Sequence, residues 1–445
     1  MSSDLLNIAA SGVRAARAGL DVTSQNIANA ATEGYVRRTL RQSEVALSGG
    51  YGRVGDLSLS GVRIDGLQRN ADMFRQAEVR RTGGDAARAA SELNTWQNVE
   101  AALEQARVFP SLTQFENALQ RLATDPVDPS LRTAVVEDAR TLTRSFGIAA
   151  GGLDTVAAGL QFDAAAGIGQ VNLFASQLAQ LNVHLARATP GSSDQVSLLD
   201  RRDALLAELS GYADISASFA ADQTVTVRIG GSAGPVMVSG NSAGSLASTT
   251  TPDGTISFAL GASPVTLSSG TLAAAQQGLV MVRDTRISLD AVADALIATA
   301  NGAQATGVAL DGTPGQPLFS GTGAAGIALA LTSGSELATA PAGAPAGSRD
   351  PANLAAMRSA LETADISGQA SALLFQVASA TQGRKLTSEA LGSIASAARL
   401  AFDSQAGVNL DEEAVNLVRF QQAFQASSKA IQVASDIFDT LLAIR

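Results

Sequence analysis

Acidic side chains form two clusters that could do chemistry. Asp411, Glu412 and Glu413 are consecutive, while Asp200 and Asp203 flank an arginine doublet. Carboxylates grouped in this way can bind a divalent cation or act as general acid and base. Each cluster also has a simpler interpretation. The first precedes a long helical run and would face the positive end of the helix dipole, and the second fits salt links on a helix surface or at a subunit contact.

The residue types that most enzymes would add to such carboxylates are nearly absent. The 445 residues contain no cysteine and one histidine, His184. This excludes disulfides, thiolate nucleophiles, cysteine-ligated metals, three-histidine zinc sites and paired catalytic histidines. His184 lies between Val183 and Leu185 in a helical stretch, which favours a surface or packing role. We therefore predict no catalytic, cofactor-binding or metal-binding residue.

One glycine pattern resembles a dinucleotide-binding motif but lacks its setting. Gly50-Tyr-Gly-Arg-Val-Gly55 has the spacing of such a motif. A dinucleotide site requires a strand before the glycines and a helix after them. Here a helix-to-loop region precedes the glycines, and the alternating residues 56–60 follow them. The pattern therefore predicts a flexible loop.

Charge and hydropathy exclude two kinds of partner. The net charge is −10, whereas a nucleic-acid-binding protein needs a cationic face that displaces phosphate counterions. The arginine doublets at 37–38, 80–81 and 201–202 are scattered among acids and are interpreted as solvated faces. No stretch approaches the roughly 18 consecutive apolar residues of a membrane span, so we expect neither nucleic-acid binding nor membrane insertion. No cleaved secretory signal is visible either, which by itself would suggest a cytoplasmic protein.

Heptad spacing at both ends predicts two long helices that pair with each other. On a helix from about Ser3 to Ala31, one series recurs every seven residues at Leu6, Val13, Leu20 and Ile27, with a second at Ala9, Ala16, Thr23 and Ala30. The C-terminal series is Leu410, Leu417, Phe424, Ile431 and Phe438, with mixed residues four places on at Ala414, Gln421, Ser428, Ser435 and Leu442. So narrow an apolar seam is typical of a helix paired with another helix.

The middle of the chain predicts further helices around a β segment. Residues 130–189 contain no proline and predict a long helical region, with a kink or break at Asp163–Gly169. More helices are expected at about 200–209, 272–305, 352–361 and 370–402. Alternating residues at Thr224–Ile229 and Thr255–Leu260 predict short strands joined by glycine turns.

Together these patterns predict a mainly α fold with a small all-β inserted domain. The N- and C-terminal helices are expected to pair as a coiled coil, beside a body formed by a bundle of long helices and a central β domain. The expected boundaries are 1–35 plus 405–445 for the terminal coiled-coil domain, 36–211 plus 271–305 and 349–404 for the helical body, and 212–270 for the β domain. Residues 306–348 form a loop and strand region that the pattern does not place.

Four segments resemble proteins of the bacterial flagellar axis. Ser24–Tyr35 is similar to the N-terminal signature of rod, hook and hook-associated proteins, and Gly61–Asp72 resembles the strand and turn that follow it. Leu199–Ser210 and Gly407–Leu442 resemble more narrowly the hook-associated protein 1 family. The resemblance covers the outer parts of the chain, fades after the opening of residues 212–270 and hardly extends to residues 316–348.

The resemblance implies a structural, non-enzymatic subunit without cofactors, located outside the cell at the hook–filament junction of the flagellum. Such proteins are exported by the flagellar type III apparatus without a cleaved signal peptide. The implied partners are further copies in a ring or tube, hook protein, a second junction protein (hook-associated protein 3) and an export chaperone at the C-terminal helix. We expect the assembly interface to comprise Leu6, Val13, Leu20, Asn26, Ile27, Asn29, Gly34, Tyr35, Leu410, Leu417, Phe424, Ile431, Phe438 and Leu442.

In the signature, Asn26 and Asn29 can bond neighbouring backbone or partner helices, and Gly34 can take the left-handed conformation after the helix. Two alternatives stay open. One is another axial protein, such as a hook or distal-rod component, which the two narrower matches oppose. The other is a carboxylate-dependent wall hydrolase on an axial scaffold. Against it, residues 212–270 contain only Asp214, Asp222 and Asp253 as carboxylates, without a paired-acid spacing.

Overall fold

Long helices dominate the structure, a computed structural model that describes residues 2–32, 34–48 and 57–443. In chain order the helices are α1 (Ser2–Ala28), α2 (Met73–Ala106), α3 (Val108–Leu122), α4 (Pro129–Leu185), α5 (Ser193–Tyr212), α6 (Gly270–Ala305), α7 (Gly323–Gly326), α8 (Ala352–Ala364), α9 (Ile366–Ala406) and α10 (Leu410–Ala443). The expectation of a mainly α fold with long helices at both ends is confirmed. None of the helices in the described ranges has both the length and the hydropathy of a membrane span. The Gly50–Gly55 pattern lies outside the described residues.

The sheets within the described residues are small and antiparallel. Their strands are β1 (Arg38–Ser48), β2 (Leu57–Arg69), β3 (Ile215–Phe219), β4 (Val225–Ile229), β5 (Val236–Ser239), β6 (Ser242–Ala243), β7 (Leu246–Thr250), β8 (Ile256–Leu260), β9 (Ser263–Val265), β10 (Gly307–Val308), β11 (Phe319–Ser320), β12 (Ala328–Leu329) and β13 (Ala340–Pro341). They pair in the orders β1-β2, β3-β4-β5-β6, β7-β8-β9, β10-β13 and β11-β12. The strands expected around residues 224–229 and 255–260 are β4 and β8.

Packing divides the chain into two compact units. Within the described residues, unit 1 comprises Met1–Gly84, Gln170–Ser245 and Gly392–Arg445, and unit 2 comprises Asp85–Gly169 and Leu246–Leu391. This division differs from the four-part division expected from the sequence. In particular, the strands of residues 212–270 form two sheets, of which β3–β6 belong to unit 1 and β7–β9 to unit 2.

Each of these two sheets is attached to a different helix. In unit 1, the buried Asn182 of α4 accepts a hydrogen bond from the Val225 amide and donates to the carbonyls of Val225 and Gly240. In unit 2, the Gln276 side chain of α6 donates a hydrogen bond of 2.9 Å to the Ile256 carbonyl of β8. Buried side-chain amides that satisfy strand backbone in this way fix each sheet to its own helix.

The break expected at Asp163–Gly169 is wrong, because α4 is continuous through these residues, while the alternative of a kink there stays a prediction. Glycine in a helix interior costs only about 1 kcal/mol relative to alanine. Ala164, Ile168 and Val171 are buried at helical spacing across the same stretch. Their packing offsets the intrinsic preference of the glycines for other conformations.

The core of unit 2 consists of large apolar side chains. Phe115 of α3 and Phe319 of β11 are completely or almost completely buried, and their rings meet edge to face with centroids 6.0 Å apart. Fully buried side chains of α3 and α4 extend this core at Leu112, Leu119, Leu122, Val135, Leu142, Phe146 and Leu153. Burial of each such side chain contributes about 1.5–3 kcal/mol to folding.

A buried arginine orders part of residues 306–348, which the sequence did not place. Arg132 of α4 is 1% exposed, and its guanidinium donates to the carbonyls of Pro126, Gly334 and Leu337 and to the Thr339 hydroxyl. Burial lowers its pKa below the ordinary arginine value, and no carboxylate contributes to that shift. The cation is satisfied by backbone oxygens instead, which ties residues 334–339 to α4 within unit 2.

Candidate assembly surface

The terminal helices pack against each other within unit 1, in an antiparallel direction. A Cβ atom built at Gly12 of α1 would lie 2.7 Å from the Ser427 hydroxyl oxygen of α10, and one at Gly19 would lie 2.5 Å from the Phe420 ring. Moving seven residues forward on α1 therefore moves seven residues backward on α10. A larger residue at either position would have to displace the facing side chain, so glycine allows the close approach of the two helices. Sequence reasoning missed both, although their seven-residue spacing was a visible signal.

On α1 the fully buried seam is made of small residues. Ala9, Ala16 and Thr23 are buried, in line with the second heptad series. The first series is less covered than expected, since Leu6, Val13 and Leu20 are only half-buried and Ile27 is exposed. Small residues at the contact allow the two helix backbones to approach closely.

On α10 the expected heptad series from Leu410 to Phe438 is only partly buried. The positions that complete the contact with α1 are also not the ones expected from the sequence. Leu417 and Ile431 are half-buried, while Leu410, Phe424 and Phe438 are exposed, and the side chain of Leu442 lies outside the described residues. Of the positions four residues after the members of this series, Ala414 and Gln421 are exposed, whereas Ser428 and Ser435 are half-buried. The residues that α1 covers instead follow the members of the expected series by three positions, at Glu413, Phe420, Ser427 and Ala434.

The opposite face of α10 carries a second apolar stripe. Val415 is 68% exposed and Val433 is 48% exposed, with Val418 and Ile437 similarly uncovered on the same side of the helix. Helical spacing places these residues away from the face that contacts α1. The described part of the chain therefore leaves apolar residues near both ends of one face of its C-terminal helix open to solvent, with Gln422 and Lys429 between them.

The acidic cluster lies in the first turn of α10, as expected for residues that face the positive end of the helix dipole, and it also has a specific partner. Asn409 caps the helix, because its side-chain oxygen accepts hydrogen bonds from the Asp411 and Glu412 amides. The Glu413 side chain is 2% exposed and pairs with Arg37, whose Nε lies 2.6 Å from Oε1. Arg37 also contacts Glu412 at 3.2 Å. In the described residues, no group of three or more His, Asp or Glu side chains could hold a metal ion.

The Ser24–Tyr35 segment works as a polar connector between α1 and β1. Asn26 is buried, donates to the Arg38 carbonyl at 2.8 Å and accepts from the Arg38 amide and the Tyr35 hydroxyl. Asn29 is half-buried; its side chain donates to the Gln25 carbonyl and accepts from the Thr32 hydroxyl. Gly34 has φ of +75°, which confirms the left-handed conformation expected there. Burial raises the pKa of Tyr35 above its ordinary value, against the opposing effect of the Arg38 guanidinium.

An arginine–aspartate cluster, defined as Arg38, Arg69, Asp200, Arg202 and Asp203, lies beside this connector. Asp200 contacts Arg38 and Arg69, each at 2.8 Å, and Asp203 contacts Arg69 and Arg202 at the same distance. The cluster therefore joins the base of the β1–β2 hairpin to α5. Asp200 and Asp203 form salt links, as expected, although both aspartates are half-buried rather than on an open helix surface. The interpretation of the arginine doublets as solvated faces is wrong for Arg38 and Arg202, which are buried.

The two aspartates of the cluster differ electrostatically. Burial raises the pKa of Asp200, and the nearby arginines only partly oppose this effect. Burial acts in the same direction on Asp203, but Arg202 and Arg69 outweigh it and hold its pKa below the ordinary range. Asp203 is therefore a firmly charged partner of the cluster, while the ionised form of Asp200 is disfavoured.

The four segments that resembled flagellar proteins meet at these contacts. Asn26 and Tyr35 belong to the first segment, Arg69 to the second, Asp203 to the third and Glu413 to the fourth. Their chain separations are large, since Arg37 and Glu413 are 376 positions apart. The shared role of the segments is structural: they join the terminal helix pair, the hairpin and α5 inside unit 1.

Comparisons with family models match most of the chain. Residues 90–319 match the model described as the flagellar hook-associated protein FlgK helical domain. Residues 401–444 match the flagellar basal body rod FlgEFG protein C-terminal model, and residues 6–35 match the flagella basal body rod protein model. The last two models coincide with the terminal helices.

Relatives and a solved structure show similar matches. Flagellar hook-associated protein 1 of Salmonella typhimurium is 30% identical over 223 residues, and that of Bacillus subtilis is 26% identical over 221 residues. Each alignment covers 48% of this chain, but only 39% and 44% of the respective relatives. The flagellar hook junction protein FlgK of Burkholderia pseudomallei matches with a TM-score of 0.48 and 23% identity, over 54% of this chain and 46% of that one.

Proposed function

The chain belongs to the flagellar hook-associated protein FlgK family, and on this premise we propose that it is a non-enzymatic structural subunit of the flagellum at the hook–filament junction. The match of residues 90–319 to the FlgK helical domain carries the proposal. The rod-protein models at both ends support an axial location, and the names of the relatives support the hook-associated position.

Assembly uses the terminal helix pair. The α1–α10 contact leaves Val415, Val418, Val433 and Ile437 exposed along one face of α10. Burying such a stripe against neighbouring copies gains free energy in proportion to the apolar area removed from water, about 25 cal/mol per Å². Further copies in a ring or tube are the partners that this face would contact. The predicted interface residues of α1, from Leu6 to Ile27, line the adjoining edge of the pair.

The remaining partners and the route to the junction belong to the same proposal. Hook protein would contact the assembled subunits on one side and the second junction protein, hook-associated protein 3, on the other. An export chaperone would cover the apolar face of α10 before assembly. The location is extracellular, after type III export without a cleaved signal. A chain without cysteine and with 4% aromatic residues is easily kept unfolded and unlinked during such passage.

Deleting the gene tests the junction role. We expect hooks without filaments in electron micrographs, no swimming, and unpolymerised flagellin in the medium. Missing hooks would move the subunit to the rod or hook, and normal flagella would refute the axial role altogether. Turnover of peptidoglycan by the purified chain would contradict the non-enzymatic part of the proposal.

A point variant tests the assembly face separately. Val433→Asp places a charge on the open stripe of α10 without touching the α1 contact, so the purified chain should keep its circular dichroism spectrum. In the deletion strain it should fail to restore filaments, because burying the charge in an assembly would be costly. Ile287→Asp is the matched control, since Ile287 is exposed on α6 of unit 2. Equal restoration of filaments by both variants would reject α10 as the assembly face.

A further inference from the structure

A small cavity in unit 1 has one apolar wall and one cationic wall. Val36, Val79 and Phe402 form part of the first wall, and Arg69, Arg80 and Arg399 form part of the second. Its volume is about 70 Å³. Pockets for metabolites and cofactors are usually about 300–1,000 Å³, so this cavity admits only a small group with a few water molecules.

The positive charges around the cavity outnumber the negative charges. Arg80 acts electrostatically on Arg202, and Arg202 acts on Arg69, so Arg80 extends the arginine–aspartate cluster. With Arg38 the extended cluster holds four guanidinium groups against the carboxylates of Asp200 and Asp203. Arginines remain charged at any physiological pH, which leaves two positive charges without a carboxylate in the cluster.

Asp203 lines the cavity but has no oxygen free for Arg80. Its Oδ1 accepts hydrogen bonds from Nε and Nη2 of Arg202, at 3.0 and 2.8 Å. Its Oδ2 accepts from the Gln76 side chain at 2.9 Å and contacts Arg69 at 2.8 Å. Both oxygens are thus engaged by other donors.

Arg80 is the least compensated cation of the group. Its side chain is half-buried, and among the described carboxylates Asp203 alone contributes to its electrostatics, through space. Burial lowers the pKa of Arg80, the attraction of Asp203 opposes this, and the nearby Arg202 adds to the lowering. Arg399 shares its charge with Asp403, which its Nε reaches at 3.2 Å.

We propose that this cavity is an oxyanion site that receives a carboxylate or another small oxyanion such as phosphate, with Arg80 as its main donor. The planar guanidinium matches the two oxygens of a carboxylate, and the apolar wall strengthens the interaction by excluding water. Because the cavity is small, it favours a single carboxylate or phosphate group over a whole nucleotide.

Two sources can supply this chemistry. One is an Asp or Glu side chain of a neighbouring copy, which fits a chain with net charge −10 and rests on the proposed self-assembly. The other is a free oxyanion in solution. The neighbouring carboxylate is the occupant we favour, because a half-buried cation that has no carboxylate partner in the free chain and is neutralised on assembly would help to select the correct register between copies.

Binding to the free chain is tested with inorganic phosphate as the probe. The melting temperature of the full chain is measured against phosphate at constant ionic strength and pH, with chloride as the balancing anion. Arg80→Met keeps most of the side-chain volume but removes the charge. Arg75→Met is the matched control, because Arg75 is exposed on the same helix. Phosphate also stabilises proteins non-specifically, and the control measures that effect.

We expect a saturable rise in melting temperature for the natural chain and for Arg75→Met, and only the non-specific rise for Arg80→Met. Without phosphate, Arg80→Met should melt at the same or a higher temperature, since an uncompensated buried charge is removed. Identical phosphate responses in all three proteins would overturn the oxyanion site. This arm does not depend on a flagellar role, so its failure is distinct from failure of the proposed function.

Complementation of the deletion strain distinguishes the two sources. If a neighbouring copy supplies the carboxylate, Arg80→Met should restore few or no filaments, Arg80→Lys should restore some, and Arg75→Met should restore the natural number. If Arg80→Met assembles normally yet has lost the phosphate response, the site serves a free oxyanion. Normal assembly together with an unchanged phosphate response would refute both forms of the proposal.

Discussion

The core of unit 2 and the terminal helix pair of unit 1 use apolar residues in opposite ways. In unit 2 the largest side chains, such as Phe115 and Phe146, are fully buried. In the terminal pair the buried positions are small, as at Ala16 and Gly19, while valines and phenylalanines of α10 remain exposed. Apolar periodicity in a sequence therefore does not show whether the residues stabilise the fold of one chain or the contact between chains.

This difference has an energetic consequence. Burying a large apolar side chain contributes about 1.5–3 kcal/mol, whereas a buried alanine contributes much less. Helices that lack a large buried face are marginal in water. Unit 2 should therefore be stable in the free protein, while the α1–α10 pair should gain stability from the neighbouring copies that we propose cover α10.

The largest effect is expected in the unit 2 core. Phe115→Ala removes a fully buried ring that packs against Phe319, and it should lower the free energy of unfolding by about 3–5 kcal/mol. Phe162→Ala is the control, because that side chain is 74% exposed and its loss should have almost no effect. Urea unfolding curves measure both. Similar effects of the two variants would abolish the contrast between core and surface.

In unit 1 we expect the stability of the fold to depend on the carboxylates of the arginine–aspartate cluster. Asp203→Asn leaves Arg69 and Arg202 without their shared carboxylate and should cost about 3 kcal/mol at neutral pH. The pKa of Asp203 is depressed, so its contribution is complete above the ordinary value of 3.8 and is lost as the pH falls through the lower folded value. Asp200→Asn should cost less, because the raised pKa of Asp200 shows that its charged form is disfavoured.

Hydrogen exchange of α5 amides between pH 2 and 7, corrected for the intrinsic exchange rates, measures this pH dependence. The natural chain should lose protection as the pH falls below about 3.8, and Asp203→Asn should lose less protection over the same interval. Equal costs of the Asp200 and Asp203 variants at neutral pH would show that the two carboxylates are equivalent, contrary to their surroundings.

A disulfide should strengthen the terminal pair selectively. A Cβ atom at Gly12 would lie 3.4 Å from Cβ of Ser427, close to the roughly 3.5–4.5 Å of disulfides, and the chain has no other cysteine. Gly12→Cys with Ser427→Cys should cross-link under mild oxidation and stabilise the pair by about 2–4 kcal/mol. Gly12→Cys with Val433→Cys is the control. Gel mobility before and after reduction measures the yield, and cross-linking of the control alone would reject the observed register.

The smallest effect is expected for a substitution of Gly151 in unit 2, where neither the backbone conformation nor a neighbouring atom requires glycine. A Cβ atom at Gly151, exposed on α4, would meet no atom within 4 Å. Gly151→Ala should therefore stabilise the chain by about 0.5–1 kcal/mol through helix propensity and a more restricted unfolded state. Gly19→Ala should do the opposite, because its Cβ would meet the Phe420 ring. Thermal unfolding compares them, and equal shifts would contradict the close helix approach in unit 1.

Local pattern was sufficient for much of the architecture. Heptads predicted α1 and α10, alternation predicted β4 and β8, and the left-handed conformation of Gly34 followed from its place after a helix. These features depend on residues within a few turns of each other. The continuous α4 was missed because packing against distant segments outweighs the local preference of its glycines.

The tertiary structure alone decided which face and which charges are buried. On α10 a heptad seam can combine the series that begins at Leu410 with positions either three or four residues after its members. Only the position of α1 selects the positions three residues after, which include Phe420 and Ser427. Arg38 and Arg202 resemble solvated arginines in the sequence. The carboxylate partner of Arg38, Asp200, lies 162 positions away, and the burial of either arginine is not visible from its neighbours in the chain. Helical periodicity is a local property, whereas burial of charge depends on contacts that form only when distant segments meet.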